Sequence, residues 1–322
     1  MFQKQFIFED DREFASCHAS TVLPLMNGDV LAAWFGGTEE GAGDVAIWLS
    51  RKQDGVWSKP VNLTGVQDLP HFNPVLSRNP NGQIILVYKT GWKIREWISM
   101  VMVSNDDGHT WSETKELVPG DYTGGRGPVK NKWIIASNGD LIAPASVETK
   151  TEWDAFVDLS SDGGKSWRKS EQVPFVRNEA VGKGIIQPAL WESAPGKLHM
   201  LLRSTAERIY RSDSADGGNT WSEAYPINLP NNNSGIDLAQ MENGDLLLVY
   251  NPVDGKWGAR TPLVLDVSKD NGETWERIHV LEEDEGEYSY PAIVAIGDEV
   301  HITYTWKRER IAYWHLNYPA SN

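Results

Sequence analysis

The sequence predicts an all-β, six-bladed β-propeller. Three observations carry that expectation: a turn motif that recurs in near-constant phase, a second series of hairpin turns between its copies, and the lack of any useful run with the 3.6-residue period of a helix. Four segments share the pattern Ser-x-Asp-x-Gly-x-Thr/Ser-Trp: SNDDGHTW (104–111), SSDGGKSW (160–167), SADGGNTW (214–221) and SKDNGETW (268–275). A fifth, SRKQDGVW (50–57), keeps Ser50, Gly55 and Trp57 and moves the aspartate to Asp54. The tryptophans fall at 57, 111, 167, 221 and 275, so the spacings are 54, 56, 54 and 54. The second series is centred on Gly28, Gly82, Gly139, Gly196, Gly244 and Gly297, each leading into an apolar run such as VLAAWF, IILVYK or LLLVYN. Asn-Gly pairs between apolar runs are a hairpin signal. Six units of about four short strands read as one propeller domain over residues 1–322. Ring closure is expected from a strand near Phe6–Phe8 beside the last run, IAYWHL (311–316).

The Asp motif itself reads as turn chemistry. Its Asp and Ser side chains bond nearby backbone N–H groups, Gly supplies the turn geometry and Trp fills space between strands. It lacks the acidic residue that closes a calcium loop.

Composition narrows the class of partner. Of the 322 residues, 40% are hydrophobic, and 30 basic against 45 acidic side chains leave a net charge of −15. Nucleic acid is therefore an unexpected partner, because phosphate is bound by neutralising it. The longest apolar runs are of strand length, well short of the roughly 20 residues of a bilayer helix, so no membrane association is expected. MFQKQFIFEDD turns acidic before a signal-peptide core forms, and one cysteine, Cys17, excludes an internal disulfide. The expectation is a cytoplasmic protein. No phosphate loop or zinc-type His/Cys spacing is present, so no cofactor is expected, with a structural cation left open.

Propeller geometry then nominates a site at one mouth of the central channel. Starts of inner strands give His18, Asn73, Arg126, Gln187, Asp237 and Tyr288; ends of second strands give Glu39, Glu40, Lys89, Glu148, Arg203, Asn251 and Lys307, with Arg260 leaning in from the fifth blade. Arg126, Arg203, Arg260 and Lys89 would gather positive charge in a chain of charge −15. Arginine binds carboxylate bidentately and stays charged when partly buried, so this mouth would suit a carboxylated sugar. The competing reading pairs these arginines with Glu148, Asp237 or Glu192. His18, flanked by small residues in ASCHAST, is a candidate proton-transfer group, with His71 in PHFNPVL as the second. Tyr288 and Tyr290 in GEYSYPAI offer phenols.

The chain resembles the sialidase superfamily, in particular the bacterial BNR/Asp-box branch of predicted neuraminidases. The likeness rests on the five motif phases and on SCHASTVLPLMNGD, AAWFGGTEEG, FNPVL, VYKTG, GGRGPVKNK and SYPAIV. It implies three arginines on a substrate carboxylate, a tyrosine nucleophile with a glutamate partner, and an aspartate acid/base. Arg203 in LLRST resembles the second arginine, Arg260 in GARTPL the third, and Tyr288 in YSYP the nucleophile; Glu39 or Asp44 falls where the acid/base would be. Two positions depart from the pattern. His18 stands where the first arginine is expected, and Gln187 stands for the glutamate. A carboxamide cannot take a proton from a phenol. The chain is also similar to sialidase-like propellers that act on rhamnosyl-glucuronate bonds and use a histidine. The expectation is an enzyme cleaving a bond at or beside a terminal carboxylated sugar, with a uronate-linked bond slightly favoured, by elimination or by a histidine-dependent glycosidase. The alternatives are an exo-sialidase and a non-catalytic glycan-binding propeller, in which Trp34, Trp92, Trp97 and Trp257 form part of the surface.

Overall fold

The computed structural model describes residues 3–318. Its strands form six antiparallel sheets arranged as the blades of a propeller. The inner strand of each blade is Ser16–Pro24, His71–Arg78, Ile134–Ile135, Ile185–Ala194, Asp237–Gln240 and Tyr288–Ile296. The first, second, fourth, fifth and sixth inner strands each pack on at least one neighbouring inner strand, Leu141–Glu148 takes the place of the two-residue strand against Ile185–Ala194, and Tyr288–Ile296 packs back against Ser16–Pro24. Each of the six blade interfaces holds its own apolar core, from Leu31, Phe35 and Leu86 between the first and second blades to Trp34, Trp48 and Tyr313 between the sixth and the first. Burial between blades explains why so many strands are apolar on both faces rather than alternating.

The repeated turns are alike in detail. In four of them the residue two places before an Asn-Gly pair closes a short hairpin: Leu25 N–H donates to Asp29 O at 2.8 Å, Asn79 to Gln83 at 2.9 Å, Ala136 to Asp140 at 2.9 Å and Met241 to Asp245 at 2.8 Å. The Asp motifs sit on the outer turns. In each complete copy the Ser Oγ accepts from the Gly N–H four residues on, at 2.8–2.9 Å (Ser104, Ser160, Ser214, Ser268). The aspartate accepts from the Thr or Ser N–H four residues on, at 2.9–3.0 Å. The hydroxyl and N–H of Thr110 hold the Asp106 carboxyl down at about 2, and Thr274 does the same for Asp270. These turns therefore loosen only as pH falls from the ordinary carboxyl value of about 4 toward 2.

The third blade departs from the pattern in a way that shapes the axis. Its inner strand is two residues long, and the segment running through GPVKNK precedes it. Lys130 Nζ donates to Asn131 Oδ1 (2.7 Å), Ile236 O (2.9 Å) and Pro291 O (2.5 Å), and Asn131 Nδ2 reaches Pro188 O at 2.9 Å. One segment of the third blade thus bonds the fourth, fifth and sixth.

Both chain ends build the sixth blade. Strand Gln3–Phe6 pairs antiparallel with Arg310–Asn317, Gln3 opposite His315 and Phe6 opposite Ala312, so the ring closes as expected but with a strand that ends at Phe6 rather than lying over Phe6–Phe8. Removing the chain through residue 8 unpairs this edge and strips Ile7 and Phe8 from the core between the sixth and first blades. The expected outcome is a melting temperature lower by many degrees and a broadened transition in calorimetry.

Candidate functional site

The inner strands share a local irregularity that aims side chains at the axis. Ala19, Asn73, Gln187 and Tyr290 have φ of 54°, 44°, 54° and 53°, each within a register shift of its strand pair. Gly127 (φ 63°) and Asn233 (φ 59°) share this conformation in the segments that lead into the third and fifth inner strands. A bulge of this kind adds a residue to one strand and re-aims its side chain. Proline follows at 74, 128, 188 and 291, where its missing N–H has no ladder to serve.

Three arginines gather around His18 at this end of the axis, and two of them reach these bulge positions. Arg203, at the end of its blade's second strand, donates from Nη1 to Tyr290 Oη at 2.8 Å and to Gln187 Oε1 at 3.2 Å, and from Nε to Asn233 Oδ1 at 2.8 Å. Arg260 lies with its guanidinium 5.6 Å from the Tyr290 ring centre and donates to Glu287 Oε1 at 2.6 Å. Arg308 donates to the same Glu287 oxygen at 2.7 Å and to Glu40 Oε2 at 2.6 Å. In each of the three, Nη2 has no hydrogen-bond partner among the described residues. Each is a charged donor still available to a carboxylate.

His18 and Tyr290 lie against one another, ring centres 4.2 Å apart. His18 Nδ1 bonds Thr305 Oγ1 at 2.8 Å, which leaves Nε2 as the free ring nitrogen. Burial and then the charges of Arg308, Arg260, Arg203 and Lys130 hold its pKa well below the usual imidazole value. Tyr290 Oη accepts from Arg203 and, at 3.4 Å, from Gln187 Nε2. Gly235 lines the floor: a Cβ there would lie 2.7 Å from Lys130 Cε and 3.4 Å from the Tyr290 ring.

Carboxylates complete the rim. Glu148 is half-buried, and burial raises its carboxyl pKa, opposed by Arg203 and Lys183 and aided by Glu40. Asp44 Oδ2 accepts from Thr38 N (2.9 Å) and Thr38 Oγ1 (2.6 Å), bracing the loop that carries exposed Glu39 and Glu40, while its Oδ1 is buried without a partner. Beside Arg203 lies a cleft of about 570 Å³ lined by Glu148, Trp153, Lys183, Trp257, Lys150 and Lys93 among others. Arg203 sits over both tryptophans, 5.5 Å from the Trp153 ring centre and 5.9 Å from that of Trp257.

The structure takes several expected residues away from this mouth. Arg126 is locked in a buried ion pair with Asp158, at 3.0 Å, and a second with Asp121, because the segment before the third blade turns its side chain into the blade. Lys89 is fully buried, donating to Ser99 Oγ at 2.6 Å and to Arg126 O, and burial lowers its pKa to about 7. His71 is sealed against Tyr88 and bonds Thr64 at 2.9 Å, with its pKa lowered by burial to about 4. Asp237 is an internal brace that accepts from Ile293 N–H at 2.9 Å and pairs with Lys132 at 3.1 Å. Tyr288 belongs to the core between the fifth and sixth blades; the bulge at Tyr290 turns that residue, and not Tyr288, to the arginines. Trp34 and Trp97 are core residues, whereas Trp92 and Trp257 are exposed. Asn73, expected at the mouth as the start of an inner strand, is buried at the bulge of that strand.

Arg308 is the residue that sequence reasoning missed. It lies in KRER, between the last two strands, where charge reads as a solvated turn. Lys307 and Arg308 have φ of 53° and 59°, the left-handed pair a tight hairpin turn requires, without the Asn-Gly that usually marks one. Such positions cost about 1–3 kcal/mol each and persist where surroundings over-determine them. Here Glu287 O accepts from Lys307 N–H at 2.7 Å and Arg308 O accepts from Cys17 N–H at 2.9 Å.

Six blades, outer Asp turns and an arginine-lined axial mouth define a sialidase-like propeller. The chain belongs to the BNR repeat-like domain family, whose model matches residues 28–302. Among curated proteins it is similar to a sialidase of Bacteroides fragilis, 27% identical over 303 residues, covering 86% of this chain and 49% of that one. The chain thus spans about half the length of that relative. Among solved structures, a Hadza microbial sialidase aligns with a TM-score of 0.80 at 17% identity, over 98% of this chain and 68% of the other. A protein of unknown function from Dyadobacter fermentans aligns at 0.78 and 16% identity over 99% of both chains. Trypanosoma rangeli sialidase aligns at 0.76 and 16%, over 98% of this chain and 59% of the other.

Because His18 is kept neutral by its surroundings, its ring resonances in NMR should stay flat from about pH 8 to pH 5, through the range in which a free imidazole titrates. A midpoint near 6.5 for His18 would mean that neither burial nor the arginines act on it.

Proposed function

We propose that the chain is a sialidase-type glycoside hydrolase that removes a terminal carboxylated sugar from an acidic glycan. The observation that carries this reading is the convergence of Arg203, Arg260 and Arg308, each with an Nη2 uncommitted among the described residues, around His18, with Arg203 and Arg260 also against Tyr290. The sugar's carboxylate takes the three Nη2 donors, which sets the ring over Tyr290. Tyr290 Oη attacks the anomeric carbon as the bond to the leaving oxygen breaks. Glu148, whose raised pKa keeps a proton available, protonates that oxygen and afterwards takes a proton from the water that releases the sugar. Arg203 and Gln187 donate to the phenol oxygen, so its proton points away from them; the neutral His18 ring packed against the phenol takes that proton during the attack and returns it to Tyr290 Oη when water releases the sugar. The leaving glycan rests in the cleft lined by Glu148, Trp153, Lys183 and Trp257.

Gln187 favours a second reading, elimination at a uronate-linked bond, because among the described residues no carboxylate is hydrogen-bonded to Tyr290. The two differ in product. Incubation with a sialyl-lactoside and with a rhamnosyl-glucuronate oligosaccharide should release free acidic sugar without the ultraviolet absorbance of an unsaturated uronate. Growth of that absorbance would overturn hydrolysis, and glycan binding without turnover on either would overturn catalysis.

On the productive substrate, Arg203→Ala and Arg308→Ala should each lower kcat/KM by about 10²–10³-fold, mainly by raising KM. Tyr290→Phe should lower kcat by about 10²–10⁴-fold with KM little changed, and Tyr288→Phe should leave both near the parent's. Full activity in Tyr290→Phe would remove the nucleophile from the scheme.

A further inference from the structure

The closing blade carries a polar cluster that the catalytic reading does not use. His301, on Glu299–Trp306, and His315, on Arg310–Asn317, stand directly opposite one another, and Glu299 precedes His301 by two residues on the same face. The two rings are stacked, centres 4.8 Å apart and planes 21° apart. His301 Nδ1 is bonded to Tyr313 Oη at 2.8 Å, which fixes the ring and points Nε2 away from it. Nε2 of His301 and Nε2 of His315 are both buried, and among the described residues neither has a hydrogen-bond partner. The Glu299 carboxylate lies 3.7 Å from the first and 3.8 Å from the second. His301 as a whole is only 4% exposed, so an orphan ring nitrogen there is costly unless something binds it.

We propose that Glu299, His301 and His315 form a binding site for a zinc-class divalent cation that clamps the last two strands of the ring. One ligand atom from each residue lies within 4.8 Å of the others. Ligands of a tetrahedral zinc at about 2.0–2.1 Å stand about 3.4 Å apart, so a shift of an ångström or so closes the set. Two imidazoles and one carboxylate are a zinc-type donor set and a poor one for calcium or magnesium, which take oxygen. Burial lowers the pKa of both rings, so the histidines meet the metal unprotonated. Lys52, which also acts on both rings, opposes the cation, and the carboxylate of Glu299 offsets it. The Glu299 side chain is 58% exposed, which gives the ion an entry path and solvent its fourth position. The clamp joins the two strands beside Gln3–Phe6, where the ring closes.

Chelator-treated protein should take up one Zn²⁺ per chain in calorimetric titration and melt at a higher temperature with Zn²⁺ but not with Mg²⁺. Co²⁺ in place of Zn²⁺ should show the intense visible bands of four-coordination. Glu299→Gln should weaken binding by about tenfold or more, and His315→Asn should abolish both the stabilisation and the Co²⁺ bands, with His301→Asn as a further variant. His109→Asn, on an exposed outer turn, should bind as the parent does. Because Glu299 and His315 lie nearer the surface than His301, their variants carry the test even where His301→Asn fails to fold. No Zn²⁺ uptake by the parent, weak octahedral Co²⁺ bands, or parental affinity in both Glu299→Gln and His315→Asn would each overturn the site.

Discussion

The architecture of the axis rests on the buried ammonium of Lys130. Its three protons go to Asn131, to Ile236 O of the fifth blade and to Pro291 O of the sixth, so a loop of the third blade is tied to the far side of the ring. Burial lowers its pKa to about 7, opposed in part by Asp237. Charge taken out of water is expensive, and an arrangement that gives all three protons acceptors offsets much of that cost. The consequence for the site is positional. Lys130 packs under Tyr290, 5.9 Å from its ring centre, and Gly235 provides the space for both. Tyr290, Gln187 and Arg203 stand on this floor.

Electrostatics in the mouth are local and balanced. A chain of net charge −15 attracts cations as a whole, yet three guanidiniums face one opening. Glu287 lies between Arg260 and Arg308 and accepts from both, and Glu40 holds the other side of Arg308. These carboxylates allow the arginines to approach one another and orient them without consuming Nη2. The net positive excess is small, which suits recognition of one carboxylate rather than of a polyanion.

The fold was legible because its causes are short-range. Ser, Asp, Gly and Trp at fixed offsets make the outer turns by bonding their own backbone, and Asn-Gly makes the hairpins, so phase and blade number follow from residue type alone. The site was legible in part. His18, Gln187, Arg203, Arg260 and Tyr290 meet as candidates drawn from the right ends of the right strands. Arg126 and Lys89 have the same address in sequence but face the other way: Asp158 captures Arg126, and Arg126 O in turn accepts from Lys89. No sequence pattern distinguishes an arginine that meets an internal aspartate from one that meets solvent.

Sequence by itself determined the number of blades, the phase of the turns and the closure of the ring by the two chain ends, since each depends on contacts between near neighbours or on chain length. Only tertiary structure decided which tyrosine faces the mouth and that Arg308 joins Arg203 and Arg260 there. A single left-handed residue in a strand exchanges Tyr288 for Tyr290, and that conformation is over-determined by packing rather than by residue type. Arg308 reaches the site because Cys17 and Glu287, distant in the chain, hold its turn in a strained backbone that no local propensity favours.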